Sequence, residues 1–196
     1  MFNEHVKVFD NLFTDSEVQD LYTAIADIPE ESVYEYSNLG RLHNEEVILP
    51  QNIQDKLLEL INSHLQLDKT RRLSLKLNPI SVEYRAEYGS PHLPPHFDRD
   101  DTDYILDYQL ESNTQWPLGV DKNVYPLEDN SAVGFNPNGN IHWRPLKTFQ
   151  PGEYVRMIFF RFHNHDNPSD YKHLPENIGE PEFVDVNDFR SSLGEI

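Results

Sequence analysis

No cysteine occurs among the 196 residues, so disulfides, thiolate nucleophiles and zinc-thiolate sites are excluded, and His, Asp, Glu and Tyr must carry any chemistry. Basic charge is scarce too. The chain has 16 Lys and Arg against 34 Asp and Glu, a formal net charge of -18 and a pI near 4.7. Nucleic acids and anionic membranes are bound through basic patches, so neither is expected as a partner. No apolar run approaches membrane-spanning length, and Met1 to Val6 show neither the basic region nor the apolar stretch of a signal peptide. A single-domain cytoplasmic enzyme or binding protein is therefore expected, long enough to bury a real core.

What is present is a change of period along the chain. Val6, Val8 and Phe9 suggest a short strand. Thr14-Asp15-Ser16-Glu17 has the spacing of a capping box and predicts a helix to about Ile28, with Val18, Leu21, Tyr22 and Ile25 facing the core. Residues 29–49 carry no clear pattern. Pro50 suits the first turn of a second helix whose stripe is Ile53, Leu57, Leu60, Ile61, His64 and Leu65, and His64 reads as an edge residue of that stripe rather than a ligand.

After this helical part, residues 1–71, the period becomes two. Ile80, Val82, Tyr84, Ala86 and Tyr88 alternate with polar residues, as do Tyr104, Leu106, Tyr108 and Leu110, which predicts strands with one buried face. Asn138-Gly139 predicts a hairpin, Pro151-Gly152 a turn, and Tyr154 to Phe162 a strand buried on both faces. Helices followed by many short strands predict a mainly β fold, a sandwich buttressed by N-terminal helices, with its core over 72–162. Residues 163–196 are rich in acids, Pro and Asn and predict a surface extension over a sheet edge, anchored by Phe183, Val184, Val186 and Phe189.

The chemistry centres on His96-Phe97-Asp98. In an extended chain His96 and Asp98 project to one face while Phe97 turns away. An imidazole and a carboxylate suit a divalent first-row metal, and a second His completes the 2-His-1-carboxylate arrangement of non-haem Fe(II) oxygenases. With nine His in the chain, roughly one such His-x-Asp is expected by accident, so its surroundings carry the inference. His142, just beyond Asn138-Gly139, is available as the second His. His163 and His165 read as loop residues.

The order Tyr88-Gly89, His96-x-Asp98, His142, Gly152, Arg156 resembles the Fe(II)- and 2-oxoglutarate-dependent dioxygenases, most closely the prolyl 4-hydroxylase-like branch, over roughly residues 76–162. The resemblance implies a double-stranded β-helix, or jelly roll, with iron held by His96, Asp98 and His142. It implies that 2-oxoglutarate is gripped at its distal carboxylate by Arg156, assisted by Tyr88, with Tyr84 in reserve. Because Asp98 is kept where related halogenases have a small residue, hydroxylation is implied rather than chlorination.

Arg156 and Arg161 fall on opposite faces of a regular strand, so only one of them can point inward; Arg156 is the choice here. His92, Trp116, Trp143 and Arg144 flank the ligand segments and are candidate contacts for a small-molecule or peptidyl substrate. Two other readings fit the same residues. One is a cupin-like isomerase or lyase that uses the triad without 2-oxoglutarate; the other is a β-sandwich binding module with no catalysis.

Overall fold

The computed structural model describes residues 6–29, 33–36, 41–44, 47–67, 75–89, 93–98, 102–164 and 182–184. Strand β1 (Lys7–Phe9) leads into helix α1 (Asp15–Ala26), and β2 (Val33–Tyr36) and β3 (Arg41–Asn44) precede helix α2 (Gln51–His64). Then come β4 (Leu75–Arg85), a 3-10 turn (Ala86–Tyr88), β5 (Leu93–Phe97), β6 (Tyr104–Ser112), β7 (Leu118–Val120) and β8 (Asn123–Tyr125). The remaining strands are β9 (Ser131–Phe135), β10 (His142–Arg144), β11 (Tyr154–Asn164) and β12 (Glu182–Phe183).

The strands form two antiparallel sheets. The larger runs β1-β9-β6-β11-β4-β3-β2 and the smaller β12-β5-β10-β7-β8. Chain order alternates between them, β4 in one and β5 in the other, β9 in one and β10 in the other, which is the double-stranded β-helix of a jelly roll. The expected hairpin at Asn138-Gly139 is corrected by this topology. Gly139 N and Asn140 N both donate to Asn136 O (3.1 and 2.9 Å), but the flanking strands pair elsewhere, β9 with β6 and β1, β10 with β5 and β7. The tight turn is an arch between sheets rather than a link within one. Pro151-Gly152 is a turn as expected: Glu153 N donates to Gln150 O at 2.9 Å, and Gly152 takes the positive φ of 86° that the third position of a type II turn requires.

The larger sheet is covered on both faces. One face packs on the helices, where Leu21, Ile53, Leu57 and Ile61 meet Tyr104, Leu106, Tyr108, Ile158, Phe160 and Phe162. The other closes against the smaller sheet, where Ile80, Val82, Tyr84, Ile105, Val133, Phe135, Val155 and Met157 meet Trp116, Leu118 and Val120. β6 was expected to bury one face only; Asp107 and Gln109 are in fact buried between the sheets. Period two alone cannot show whether a polar face meets water or an interior that supplies its own partners.

Helix placement rests on local chemistry. Thr14 and Glu17 close the capping box, Glu17 N to Thr14 Oγ1 at 3.3 Å and Thr14 N to Glu17 Oε2 at 2.8 Å. Lys56 of α2 joins the same carboxylate at 2.7 Å. On the sheet side, Tyr104 Oη lies 3.0 Å from His64 Nε2, so His64 sits at the edge of its stripe with a partner.

A methyl group at Gly134 would come within 2.5 Å of Tyr104 Oη and 2.8 Å of Leu106 Cδ2. Gly134→Ala is therefore expected to lower the midpoint of denaturant unfolding by the equivalent of about 1–3 kcal/mol without changing the slope.

Candidate functional site

Three side chains converge between the sheets near the end of β5. β10 pairs with β5 so that His142 lies directly opposite His96, and the two rings stand 4.1 Å apart between centroids. Asp98 follows β5, and its amide donates to Pro137 O at 3.0 Å, which ties it to the arch that delivers His142. Asp98 Oδ1 is 3.4 Å from Nε2 of each His. One donor atom from each residue lies within 4.8 Å of the others.

The tautomers suit a metal. His96 Nδ1 lies 2.8 Å from Pro94 O and His142 Nδ1 3.3 Å from Asn140 O. A carbonyl oxygen only accepts, so each Nδ1 carries a proton, and each Nε2 is the nitrogen that faces Asp98 and could bind a metal. The electrostatics agree. Burial pushes the Asp98 carboxyl up, but His142 and His96 outweigh it and hold the group below the ordinary carboxylate range. Burial lowers His142, and Asp98 outweighs that and holds it up. The shifts express the attraction between the Asp98 carboxylate and its imidazole neighbours, and two imidazole nitrogens with one carboxylate oxygen fit a divalent first-row ion.

The surroundings fix this geometry. β12 pairs with the other edge of β5, Phe183 opposite His96, and Val184 N donates to Pro95 O at 2.9 Å. Strand β5 is thereby held on both sides, by β10 on one and on the other by β12, a piece of the C-terminal extension. Asp121, at a positive φ of 50°, accepts from Ile141 N at 3.0 Å and from Asn140 Nδ2 at 2.7 Å, gripping the chain just before His142. Phe135 packs 5.0 Å from the His142 ring.

Arg156 requires a correction. It shares its strand face with Ile158, Phe160 and Phe162, which pack on the helices, so it points away from the triad. Its guanidinium is paired there with Glu111 and, at 2.9 Å, with Glu83, and Glu111 also accepts from Tyr22 of α1 at 2.8 Å. The inward face belongs to Val155, Met157, Phe159 and Arg161, opposite to the register expected. Tyr88 lies in the 3-10 turn beyond the end of β4, off the strand face that carries Tyr84. Tyr84 is buried between the sheets, edge-on to Trp116 at 4.7 Å.

Among the candidate substrate contacts, Trp116 is core, its Nε1 donating to Pro145 O at 2.7 Å. Trp143 turns away from its neighbours His142 and Arg144 and lies over Gly119, where a methyl group would meet its ring at 2.1 Å. His92 falls outside the described residues. Arg144 is the one brought inside. It is 1% exposed, on the same face of β10 as His142, donating to Trp116 O at 2.7 Å and to Asp107 Oδ2 at 3.1 Å. Sequence reading missed Asp107, 5% exposed on β6 of the facing sheet; as one polar residue of an alternating strand it carried no signal of its own. Burial raises its pKa, and Arg144 acts against that rise.

Replacing His142 by Ala is expected to remove most divalent-metal affinity, since one of three protein ligands is lost. Asp121→Ala touches no ligand and is expected to weaken the metal about tenfold by loosening the approach to His142. Metal titration of chelator-stripped protein checks both; unchanged affinity in the His142 variant would remove it from the set.

No protein-family model matches the chain, and no curated protein matches it in sequence. Solved structures do match. A 2OG-Fe(II) oxygenase family oxidoreductase from Burkholderia pseudomallei superposes with a TM-score of 0.60 at 9% identity, covering 83% of this chain and 86% of that one. A Pseudomonas putida prolyl-4-hydroxylase gives 0.58 at 15% identity, over 82% and 92%. HygX from Streptomyces hygroscopicus, with nickel and 2-oxoglutarate bound, gives 0.58 at 10% identity, over 92% and 95%. Across nearly its whole length, then, this chain has the fold of the 2OG-Fe(II) oxygenases.

Proposed function

We propose that the protein is an Fe(II)- and 2-oxoglutarate-dependent dioxygenase that hydroxylates an unactivated C–H bond of an amino acid, a peptidyl residue or a small natural product. The observation that carries the reading is the convergence of three donors from β5, its C-terminal end and β10 in a fold of this kind. His96, Asp98 and His142 would hold the metal. Bound Fe(II), with 2-oxoglutarate and O2, supplies oxygen transfer to the substrate while the cosubstrate is converted to succinate and CO2.

The chain's own residues bind, orient and exclude water. The carbonyls of Pro94 and Asn140 fix both imidazoles with Nε2 inward. Phe135 makes an apolar wall beside His142, which keeps water from the reacting centre. A dicarboxylate cosubstrate needs a fixed cation for the end that is not at the metal, and Arg does this with bidentate geometry. Arg144, not Arg156, meets that need. It lies two residues beyond His142 on one strand, about 7 Å deeper at the usual rise per residue, a separation that suits a five-carbon diacid. Tyr84 and Trp116 close the same end, with the guanidinium over the Trp116 ring at 4.9 Å.

The cupin-like alternative differs in one product. Metal-loaded protein given 2-oxoglutarate and O2 is expected to release succinate, and a substrate screen should show a mass gain of one oxygen coupled to it. Stoichiometric iron binding without any succinate would favour the isomerase or lyase reading. Arg144→Gln is expected to weaken 2-oxoglutarate by up to about tenfold, a loss of about 1.4 kcal/mol. Arg156→Leu should leave cosubstrate affinity unchanged and lower thermal stability, because Glu83 and Glu111 lose their cation. Calorimetry and thermal melts of the two variants separate the roles; cosubstrate loss in the Arg156 variant alone would restore the original register.

A further inference from the structure

Arg144 is not a bare cation between the sheets. Asp107 reaches it from the opposite sheet, and the pair is almost wholly shut off from water. Only one carboxylate oxygen is used: Asp107 Oδ2 accepts from Arg144 Nη2, whereas Oδ1 is buried and makes no hydrogen bond. A buried carboxylate oxygen left without a donor is costly, and such a cost persists where a function requires the group. Among the described residues, Arg144 is the cation ion-paired with it. Asp107 also lies within electrostatic reach of Asp98 and His142.

The protein thus places a carboxylate of its own against the cation that a cosubstrate's distal carboxylate would use. On the reading of Arg144 given above, we infer that Asp107 is a resident competitor for the Arg144 guanidinium, which the distal carboxylate of 2-oxoglutarate must displace to bind. The consequence is a specificity rule for the pocket. The second carboxylate adds little to affinity while Asp107 holds Arg144, and it adds much more once Asp107 is neutralised. Loss of the competitor also leaves a donor in its place if the replacement is Asn, whose amide can face an incoming carboxylate.

The test compares 2-oxoglutarate with 2-oxopentanoate, a 2-oxo acid of the same length lacking the distal carboxylate, by anaerobic calorimetry on nickel-loaded protein. In the wild type, 2-oxoglutarate should bind less than about tenfold tighter than 2-oxopentanoate, where an unopposed buried Arg clamp would give on the order of 100-fold. Asp107→Asn should bind 2-oxoglutarate about tenfold tighter than the wild type and leave 2-oxopentanoate unchanged. The wild-type comparison needs no variant, so poor folding of Asp107→Asn does not remove the test. A wild-type preference of 100-fold or more for 2-oxoglutarate overturns the inference, as does equal or weaker 2-oxoglutarate binding by a folded Asp107→Asn. Absence of 2-oxoglutarate binding to both proteins, with nickel still bound, overturns the cosubstrate reading itself and the inference with it.

Discussion

The antiparallel pairing of β10 with β5 sets His142 opposite His96, and most of what surrounds the site serves to hold that register. A slip of one residue on either strand would turn one imidazole to the outer face, because side chains alternate along a strand. The register is guarded at each exit from the pair. Asp98 is tied through its amide to Pro137 in the arch, Asp121 clasps Asn140 and Ile141, and β12 lies along the outer edge of β5. Pro94 and Pro95 donate no backbone hydrogen bonds within β5, so the strand depends on its carbonyls and on both neighbours for its position.

Charge is distributed according to what each face needs. The chain is strongly acidic overall, yet the guanidinium of Arg144 is buried on the strand that carries His142. On the far side of the larger sheet, Arg156 joins β4, β6 and, through Glu111, α1 in one polar network. The two arginines play opposite parts. Arg156 binds helix layer to sheet, and Arg144 lies between the sheets, paired with Asp107.

Much of this was legible in the residues, and the failures share one cause. Capping, stripes and period-two runs located α1, α2, β4 and β6, and a run apolar on both faces located β11, because each burial pattern is a local property of consecutive side chains. His96, Asp98 and His142 were legible as a set through chemistry and order. What was not legible was which side of a doubly covered sheet each residue faces. β11 is apolar on both faces, so its pattern leaves Arg156 and Arg161 interchangeable; the register is decided by its pairing with β4 and β6, including a shift between Arg156 and Met157. Asp107 was hidden in the same way, as the polar half of an alternation whose second face is also interior. Strands β2 and β3, in a stretch without pattern, owe their place to pairing, β3 with β4 and β2 with β3, rather than to their own sequence.

The central claim is that the triad holds Fe(II) with positions left open for a chelating 2-oxo acid. Its most direct test is visible absorbance during anaerobic addition of 2-oxoglutarate to the Fe(II)-loaded protein, since a 2-oxo acid chelated through its carboxylate and keto oxygens gives a metal-to-ligand charge-transfer band. The account predicts such a band, saturating at about one iron per chain as expected for one 2-His-1-carboxylate site. Tightly bound Fe(II) that shows no band at saturating 2-oxoglutarate would contradict it.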